Sequence, residues 1–396
     1  MFFVDKPYLS DFFKETLVRH QIPVVDTVCA REMDLLPETL LISSKDAKQA
    51  LLAGAVRPYS NSENCLEWIQ KQLPDSSLQQ TIRSFKDKAQ FRRELAELYP
   101  HFFFAEFAID DLADVAVTDF PARIVLKPTV GFFSLGVYVI TSQAEWDTAV
   151  QSIFENRSEL ETLYPAEVVE WGRFIVEEYI VGDEFALDAY YDDAGNAHIM
   201  GILHHHFASA DDVSDRVYCT SKKIVADNLA DFRKLVQTVG TRLQIKNFPV
   251  HVEVRRQADG LIVPIEFNPM RFGGWCTTPD LTAKAFGYNP YVAYHFNQPP
   301  NWDELLAAKG DEIHSMVLLD NSTGWAAEEI ASFDYDAVLE EFEKPLELRK
   351  IEYTEFPLFG FLFVETRADQ TAELDRILHD DLRRFARKNT KNNQNN

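Results

Sequence analysis

The sequence predicts a small parallel α/β domain followed by larger α+β lobes. The first observation is the N-terminal succession FFVDKPY, LSDFFKETLVRHQ and IPVVDT, whose apolar spacing is typical of strand, helix and strand. The second is a pair of alternating runs within residues 251–274, which is typical of a β-hairpin. The third is a separate C-terminal region of helical and β-rich segments. The predicted fold class is therefore α/β plus α+β.

Composition limits the partners that this chain can bind. The chain has 396 residues, of which 46 % are hydrophobic, and can bury the cores of about two to three globular domains. Its 39 basic and 63 acidic residues give a net charge of −24, which argues against unassisted binding of nucleic acid or of an anionic membrane. Any bound polyphosphate must therefore be held by a local cluster of cations.

Cysteine usage and the N-terminal sequence indicate the cellular compartment. Four scattered cysteines, Cys29, Cys65, Cys219 and Cys276, show no spacing that is typical of a metal site. The N-terminus has no basic region followed by a long apolar segment, and no apolar run approaches the length of a membrane span. We therefore expect a cytoplasmic protein in a reducing environment.

The N-terminal alternation continues with TLLISS and KDAKQALLAG, so the parallel domain is expected to extend to about residue 80. CLEWIQKQL predicts a further helix, and the polar stretch LPDSSLQQ predicts a break. SFKDKAQFRRELAELYP then has the apolar spacing of one helix that ends at Pro100. Lys88 lies near the first turn of that predicted helix.

The segment ARIVLKPTVGFFSLGVYVI predicts two strands joined by a loop, with Lys127 at the end of the first strand. The loop contains Thr129, Gly131, Ser134 and Gly136, and its backbone N–H groups could surround phosphate oxygens beside the lysine charge. Two glycines in a hairpin are also ordinary turn geometry, which is the competing interpretation. A helix over residues 143–163 is expected to follow.

Residues 173–207 predict a meander of three strands, with turns at residues 181–183 and 193–195. Glu177, Glu178 and Glu184 are acids beside an apolar strand, where a purine could stack and offer its amino group. The alternative is that these are exposed glutamates of an edge strand. The triple histidine at 204–206 cannot ligate one ion without a bend, because neighbouring strand residues point to opposite faces.

An amphipathic helix, ADNLADFRKLVQTVGTRLQ, leads into the hairpin. A two-residue turn at Asp259-Gly260 places Glu253 opposite Glu266, and His251 opposite Asn268. Two adjacent carboxylates repel each other unless a proton, a basic group or a cation lies between them. Mg²⁺ would suit two carboxylates and an amide oxygen. The alternative interpretation is the solvated face of an antiparallel sheet.

The C-terminal region contains the helical segment DYDAVLEEF, the β-rich segment EFPLFGFLFVETRA and a final amphipathic helix, TAELDRILHDDLRRFARK. The polar end NTKNNQNN is expected to be disordered. The expected domains are an N-terminal α/β domain, a small lobe with a lid, a large lobe with the hairpin, a C-terminal α+β module and a tail, at 1–80, 81–175, 176–300, 301–388 and 389–396.

The order of Lys88, Lys127 with its loop, VEEYI, Glu253, Glu266 and Asn268 resembles that of the ATP-grasp superfamily, over about residues 80–275. The resemblance implies an ATP-grasp fold, in which two α+β lobes clasp ATP behind a small parallel α/β domain. It also implies ATP and Mg²⁺ or Mn²⁺ as cofactors.

The resemblance further implies a role for each matching position. Lys88 matches the lysine that reaches the α-phosphate region, and Lys127 matches the second lysine near the phosphates. Residues 129–136, including Gly131 and Ser134, resemble the flexible phosphate loop, although this loop is poorer in glycine than in many members and carries Phe132-Phe133 at its tip. The adenine and ribose contacts would come from Glu177 for the adenine amino group, Glu178 and Ile180 for backbone contacts, and Glu184 for the ribose hydroxyls.

The hairpin matches the metal site of the family. Glu266 and Asn268 resemble the bridging metal ligands, and Glu253 matches the acid on the preceding strand. Many members have an arginine two residues after that asparagine, where this sequence has Met270 followed by Arg271. Either the loop shifts by one residue or the catalytic arginine has been lost.

The family chemistry transfers the γ-phosphoryl group of ATP to a carboxylate, and an amine then attacks the acyl phosphate. The expected catalytic residues are Arg255, Arg271 and Lys127, and the expected substrate contacts are Arg255, Arg271, Arg216, His205 and Gly273. Gly274 and Thr277-Thr278 are expected to shape the floor of the substrate pocket. A lobe over about residues 119–170 would close and exclude water.

The leading hypothesis is therefore an ATP-dependent carboxylate–amine ligase that acts on small molecules and binds neither nucleic acid nor membrane, with a homodimer as the expected assembly. An ATP-binding protein without ligase turnover is the alternative, motivated by Met270 and the glycine-poor loop. A globular interaction protein that binds no nucleotide is the third hypothesis.

Overall fold

The N-terminal region is a four-stranded parallel sheet flanked by helices. The computed structural model describes residues 1–54, 56–131, 136–163, 170–209, 212 and 214–389. Up to residue 95 its elements are β1 (Phe2–Phe3), α1 (Asp11–Arg19), β2 (Val24–Asp26), α2 (Val28–Glu32), β3 (Leu41–Ser43), α3 (Ser44–Leu52), β4 (Tyr59–Ser60), α4 (Leu66–Gln72), α5 (Ser77–Lys86) and α6 (Lys88–Leu95). The strand order is β3-β2-β1-β4 with parallel pairing. The predicted parallel α/β type of this region is confirmed.

The predicted single helix before Pro100 is instead two helices. The Ser76 side chain caps α5, so the supposed polar break is the first turn of a helix. The chain then leaves the helical conformation at Asp87, whose carboxylate accepts a hydrogen bond from the backbone N–H of Gln90 and starts α6. The apolar period continues across this break, which is why the sequence pattern indicates one helix.

A second four-stranded sheet follows. Its elements are β5 (Phe104–Ala108), β6 (Ile124–Val130), β7 (Tyr138–Ile140), α7 (Gln143–Leu163) and β8 (Glu170–Glu178), and the strand order is β5-β8-β6-β7. The described pairs are antiparallel, and Trp146 of α7 is buried against this sheet. The helix has the predicted bounds. Lys127 lies within β6 and not at its end, because the strand extends to Val130.

The remaining strands belong mainly to one large sheet. Its order is β13-β12-β9-β10-β11-β14-β17-β16, with β15 and β18 as a separate pair. The elements are β9 (Asp183–Tyr191), β10 (Ala197–His206), β11 (Val217–Thr220), α8 (Lys222–Leu243), β12 (Phe248–Arg256), β13 (Ile262–Pro269), α9 (Thr277–Phe286), α10 (Pro290–Phe296), α11 (Trp302–Ala307), β14 (Ile313–Asp320), β15 (Ile330–Phe333), α12 (Tyr335–Leu339), β16 (Pro345–Lys350), β17 (Leu358–Thr366), α13 (Ala372–Leu378) and β18 (Ala386–Lys388). Short 3₁₀ helices cover Glu63–Cys65, Ile109–Asp114, Val117–Asp119, Gly274–Cys276, Ala327–Glu329 and Arg383–Phe385.

The predicted three-strand meander is wrong, because its first strand belongs to a different sheet. β8 pairs in the small sheet, whereas β9 and β10 are neighbours in the large sheet. The chain changes sheets at Gly182, which has φ +148°. A Cβ atom at this position would lie 2.2 Å from the carbonyl oxygen of Arg256, so only glycine fits the close backbone approach.

The hairpin has the predicted pairing at its functional end but a different turn. Gln257 and Leu261 close a three-residue loop, in which Gly260 has φ +88°. The longer loop shifts the register by one residue, and a bulge between Glu253 and Val254 shifts it back. The two shifts cancel, so Glu253 lies opposite Glu266 and His251 lies opposite Asn268.

The predicted final helix is wrong in its second half. α13 ends at Leu378, and the chain then turns at Leu382, which has φ +57°. The carboxylate of Asp380 accepts from the backbone N–H of Leu382 and supports that turn. Leu382 and Phe385 are buried in the C-terminal core, and β18 pairs with β15. Tertiary packing of two apolar residues therefore ends the helical pattern.

The chain divides into two compact units. The first comprises Met1–Gly182, Ala189–His198 and Lys234–Trp275, and the second comprises Asp183–Asp188, Ile199–Arg233 and Cys276–Asn396. The domain boundaries expected from the sequence stay predictions. Within the described residues, no helix is both long and apolar enough to cross a membrane.

Candidate active site

Lys88 is the first residue of α6 and points toward two other elements of the first unit. Its Nζ atom lies 3.2 Å from Glu266 Oε2 and 3.3 Å from the carbonyl oxygen of Gly131. A cation is unfavourable at a helix N-terminus, so helix stability does not explain a lysine here. Burial alone would lower the pKa of Lys88, but the nearby Glu266 carboxylate raises it above its usual value. Lys88 is thus held as a buried cation beside the hairpin.

Lys127 and Arg92 bind the same buried carboxylate. Lys127 Nζ lies 2.6 Å from Glu177 Oε2, and Arg92 Nε donates to Glu177 Oε1. Burial would raise the pKa of Glu177, but the two cations lower it to about 2. Burial lowers the pKa of Lys127. The Glu177 carboxylate opposes this effect, and the positive charges of Lys88 and Arg92 add to it. Glu177 therefore forms ion pairs with Lys127 and Arg92. The predicted contact of Glu177 with the adenine amino group did not include these ion pairs.

Arg92 is a site residue that the sequence analysis missed. Its Nη1 atom donates to the carbonyl oxygen of Pro264, two residues before Glu266, over 2.7 Å, and its guanidinium lies 4.4 Å from the ring centre of Phe102. The signal was available, because Arg92 follows Lys88 by four residues and lies on the same helix face. Its Nη2 atom is buried without a hydrogen-bond partner among the described residues, as is the hydroxyl of Thr129.

The hairpin presents an oxygen-rich set of side chains. Glu253 and Glu266 are directly paired across β12 and β13, and Asn268 Nδ2 donates to Glu266 Oε1 over 2.9 Å. That bond leaves the Asn268 amide oxygen to serve as a ligand. Burial would raise the pKa of Glu266, but Lys88 and Asn268 lower it to about 2. Two carboxylates and one amide oxygen fit a hard divalent cation such as Mg²⁺.

His251 lies beside this set on β12. His251 Nε2 lies 3.7 Å from Glu253 Oε1, which is longer than a hydrogen bond. Among the described residues, no group of three or more His, Cys, Asp or Glu side chains could hold a metal ion. None of the four cysteines, all of which the structure describes, forms a disulfide. The oxygen donors of Glu253, Glu266 and Asn268 are of the kind that suits Mg²⁺ or Mn²⁺.

The chain leaves β13 through a left-handed residue, Met270, which has φ +62° and is fully buried. Ser60 holds it there, since its N–H and its hydroxyl both donate to the Met270 carbonyl oxygen, over 2.7 and 3.2 Å. Burial would lower the pKa of Arg271, but the carboxylates of Glu63, and after it Glu266 and Glu253, raise it above its usual value. Arg271 thus lies near the carboxylates that the arginine of the family motif would accompany.

Glu63 and Lys86 complete the cluster and were also missed from the sequence. Arg271 donates to Glu63 Oε1 from Nε and Nη2 over 3.0 and 2.7 Å, and Lys86 Nζ contacts Glu63 Oε2. Burial raises the pKa of Glu63, but the two cations lower it far below its usual value. The first unit thus gathers Lys86, Lys88, Arg92, Lys127 and Arg271 around Glu63, Glu177, Glu253 and Glu266. This is a local cation cluster of the kind that polyphosphate binding by an acidic protein requires.

Arg255 lies at the predicted adenine segment of the first unit. Its Nη1 atom donates to the carbonyl oxygen of Ile180 over 2.6 Å, and its guanidinium lies 4.9 Å from the ring centre of Tyr179. The N–H of Glu178 donates to the carbonyl oxygen of Phe103 over 3.0 Å. The structure therefore brings Arg255 together with Ile180.

The predicted phosphate loop, residues 129–136, is described only in part. Gly131 is described and its carbonyl oxygen is the acceptor for Lys88. Ser134, and with it Phe132 and Phe133, lies outside the described residues. Gly273 is buried, and a Cβ atom at Gly274 would meet no atom within 4 Å.

Three predicted site residues belong to the second unit. Both ring nitrogens of His205 are engaged, Nδ1 with Glu184 Oε1 at 2.9 Å and Nε2 with the carbonyl oxygen of Ser214 at 3.0 Å. Arg216 is buried and binds Asp320 at 2.6 Å, the Ser322 hydroxyl, and two backbone carbonyl oxygens of the C-terminal region. The structure therefore pairs Glu184 with His205 and joins Arg216 to the C-terminal segment. The hydroxyl of Thr278 donates to Asp188, which is also buried.

Comparisons with known proteins identify a domain and the fold. The sequence model of the ATP-grasp domain matches residues 120–279, while no curated protein sequence matches the chain. Among solved structures, the L-amino acid ligase from Bacillus licheniformis is similar with a TM-score of 0.69 at 16 % identity, covering 99 % of this chain and 98 % of that one.

Two further structures show the same fold. N5-carboxyaminoimidazole ribonucleotide synthetase from Thermotoga maritima has a TM-score of 0.60 at 14 % identity, covering 98 % of each chain. N5-carboxyaminoimidazole synthase from Aspergillus clavatus, in complex with ADP and 5-aminoimidazole ribonucleotide, has a TM-score of 0.62 at 13 % identity, covering 95 % of this chain and 97 % of that one. The chain therefore contains an ATP-grasp domain and has the ATP-grasp fold along its length.

Proposed function

We propose that this protein is an ATP-dependent ligase that activates a carboxylate as an acyl phosphate and joins it to an amine, with release of ADP and phosphate. One observation carries the proposal: Lys88 contacts Glu266, which is paired with Glu253 across the hairpin, and Arg271 is held by Glu63 in the same compact unit. Phosphoryl transfer is catalysed by alignment of the reactants and by neutralisation of charge on the transferring oxygens. Cations beside a predicted metal site would serve both needs.

Glu253, Glu266 and Asn268 would hold Mg²⁺, and bound Mg²⁺ would neutralise phosphate charge. In the free protein Lys88 pairs with Glu266, and Lys127 pairs with Glu177. We propose that phosphate oxygens become partners of both lysines when the nucleotide binds. Arg92 Nη2 and Thr129 Oγ1 are buried and have no hydrogen-bond partner in the part of the chain that the structure describes, which supports a ligand here, because buried donors without acceptors are costly.

The chemistry then follows in two steps. An oxygen of the substrate carboxylate attacks the γ-phosphorus, and the bond to the β–γ bridging oxygen breaks, so that ADP leaves. The amine nitrogen attacks the resulting acyl phosphate, loses a proton, and phosphate leaves. Arg271 would stabilise negative charge on the transferring group. Water must be excluded in between, which is the proposed role of the lobe over residues 119–170.

Contacts in the structure support a revised proposal for three residues. We propose that Arg255 positions the Tyr179–Ile180 segment beside the adenine, since it already binds the Ile180 carbonyl oxygen. We withdraw Arg216 from the substrate contacts, because its guanidinium is engaged within the C-terminal region. His205 is proposed to orient Glu184 for the ribose and not to act as a base, because both of its ring nitrogens are already bonded.

A substrate panel tests the function. Amino acids should be tried first as acid and amine, because the L-amino acid ligase has a similar fold. ADP and phosphate should form only when Mg-ATP, an acid and an amine are all present, and Glu266→Gln should abolish this, whereas Glu304→Gln on α11 should not. Formation of AMP would contradict the proposal. Stabilisation by Mg-ATP without any product would favour the ATP-binding protein without turnover, and no stabilisation would favour the interaction protein.

A further inference from the structure

The orientation of Arg271 depends on one acidic residue from the N-terminal region, Glu63. Both Nε and Nη2 of Arg271 donate to the same Glu63 oxygen, and Nη1 donates to the carbonyl oxygen of Phe272 over 3.0 Å. The two side chains are 14 % and 9 % exposed. Contacts from both edges of a planar guanidinium leave it little freedom to rotate. Glu63 therefore determines the direction in which Arg271 points.

The backbone before Arg271 is held by the same N-terminal segment. Ser60, at the end of β4, donates twice to the carbonyl oxygen of Met270. A strand that continued past Asn268 would place residue 270 on the face of Glu266 and Asn268, since that face repeats every two residues. The left-handed conformation of Met270 interrupts this alternation. Residues 60–63 thus hold both the kink at Met270 and the side chain of the arginine that follows it.

Lys86 makes this contact more than a simple ion pair. It is the last residue of α5, and among the described residues Glu63 is the sole hydrogen-bonding and ion-pairing partner of its ammonium group. Two largely buried cations therefore share one carboxylate, which leaves an excess of one positive charge beside the hairpin. Such an excess of positive charge would attract an anionic ligand. Of the two cations, Arg271 lies nearer the hairpin in sequence.

We infer that Glu63 is a positioning residue for catalysis. It holds Arg271 so that this side chain takes the role that an arginine at position 270 would otherwise fill. This inference rests on the proposed ligase function. Glu63 does not contact the reacting atoms itself; it acts through Arg271. The N-terminal α/β region thereby contributes to the orientation of the catalytic arginine.

Three variants separate positioning from folding. Glu63→Gln keeps the size of the side chain but removes the charge that binds Arg271, and it should lower kcat by about tenfold or more while the KM for ATP changes by less than about threefold. Lys86→Met removes the other partner of Glu63 but leaves the Arg271–Glu63 ion pair, so it should lower kcat less than Glu63→Gln does. Glu67→Gln alters an exposed glutamate on α4 and serves as the matched surface control.

A second measurement does not depend on turnover. The Nε–H of Arg271, assigned in NMR spectra by its loss in Arg271→Lys, should exchange slowly with solvent in the nucleotide-free protein. Glu63→Gln should accelerate that exchange, whereas Lys86→Met should not. If no substrate gives turnover in the wild type, the proposed function fails while this measurement still decides whether Glu63 holds Arg271.

Two results would overturn the inference. One is an unchanged kcat in Glu63→Gln, and the other is a parallel loss of ATP binding and kcat, which indicates a purely structural role. If Glu63→Gln does not fold, Glu63→Asp takes its place, because it keeps the charge and shortens the side chain by one methylene. A Glu63→Asp variant that folds with unchanged kcat and unchanged Nε–H exchange would equally contradict the inference.

Discussion

Glu253 lies directly opposite Glu266 on the antiparallel strands β12 and β13. Two like charges that lie directly opposite each other destabilise a sheet unless a cation lies close to them. Lys88 supplies one such cation, at 3.2 Å from Glu266. The pairing survives even though the turn and a bulge each shift the register by one residue in opposite directions. A cation-binding site requires carboxylates that lie close together, even though they repel each other, and Glu253 and Glu266 meet this requirement.

The first prediction concerns this repulsion. Glu253→Gln should increase the free energy of unfolding of the metal-free protein by about 0.2–1 kcal/mol, because it removes one of two opposed charges. The same variant should abolish the additional stabilisation by Mg-ATP, since a metal ligand is lost. Thermal unfolding with and without Mg-ATP measures both effects. A Glu253→Gln protein that is destabilised without ligand and still stabilised by Mg-ATP would contradict the metal site.

The second prediction compares two neighbouring arginines on α6. Arg92 is buried and bonded to Glu177 and Pro264, whereas Arg93 is 51 % exposed and pairs with Glu106. Arg92→Met should lower the free energy of unfolding by about 3–5 kcal/mol, because one member of a buried ionic network is removed. Arg93→Met should cost less than about 1 kcal/mol, as expected for an exposed pair. Urea unfolding curves of the two variants measure the difference, and equal costs would refute the role of Arg92.

The third prediction is an acid-sensitive stability. The folded pKa of Glu266 is lowered to about 2 from its usual value near 4.5. The ionised form is therefore favoured by folding, so its contribution is complete above about pH 4.5 and is lost as the pH falls toward 2. That contribution is on the order of 3 kcal/mol. Urea midpoints from pH 6 to pH 3 should fall less steeply for Glu266→Gln than for the wild type.

Glu304→Gln, on an exposed position of α11, should keep the wild-type slope and serves as the control. Parallel curves for the wild type and Glu266→Gln would show that Lys88 and Asn268 do not stabilise the ionised Glu266 carboxylate.

The fourth prediction concerns the point where the chain changes sheets. Gly182→Ala would bring a Cβ atom to 2.2 Å from the Arg256 carbonyl oxygen and should cost at least about 2 kcal/mol, from overpacking together with backbone strain. Gly260 also has a positive φ but meets no atom within 4 Å, so Gly260→Ala should cost only the backbone strain, about 1–2 kcal/mol. The urea midpoints of the two variants rank the costs; a Gly260→Ala protein less stable than Gly182→Ala would contradict the close approach.

Local sequence patterns determined the elements that depend on neighbours along the chain. The 21-residue helix α7 follows from apolar periodicity, and the common face of Glu266 and Asn268 follows from the two-residue repeat of a strand. The positions of Lys88 and Lys127 beside the site follow from their order in the ATP-grasp pattern. The parallel type of the N-terminal sheet follows from its strand and helix alternation.

Only the tertiary structure decided the contacts between residues that are distant in sequence. Arg271 and Glu63 are separated by 208 positions, and no local pattern links them. The assignment of β8 to the small sheet and the engagement of Arg216 by the C-terminal region are further examples. Periodicity reports which face of an element is apolar, but it contains no information on which other element covers that face. That choice is made by the packing of the whole chain, and here it determines where the proposed catalytic arginine points.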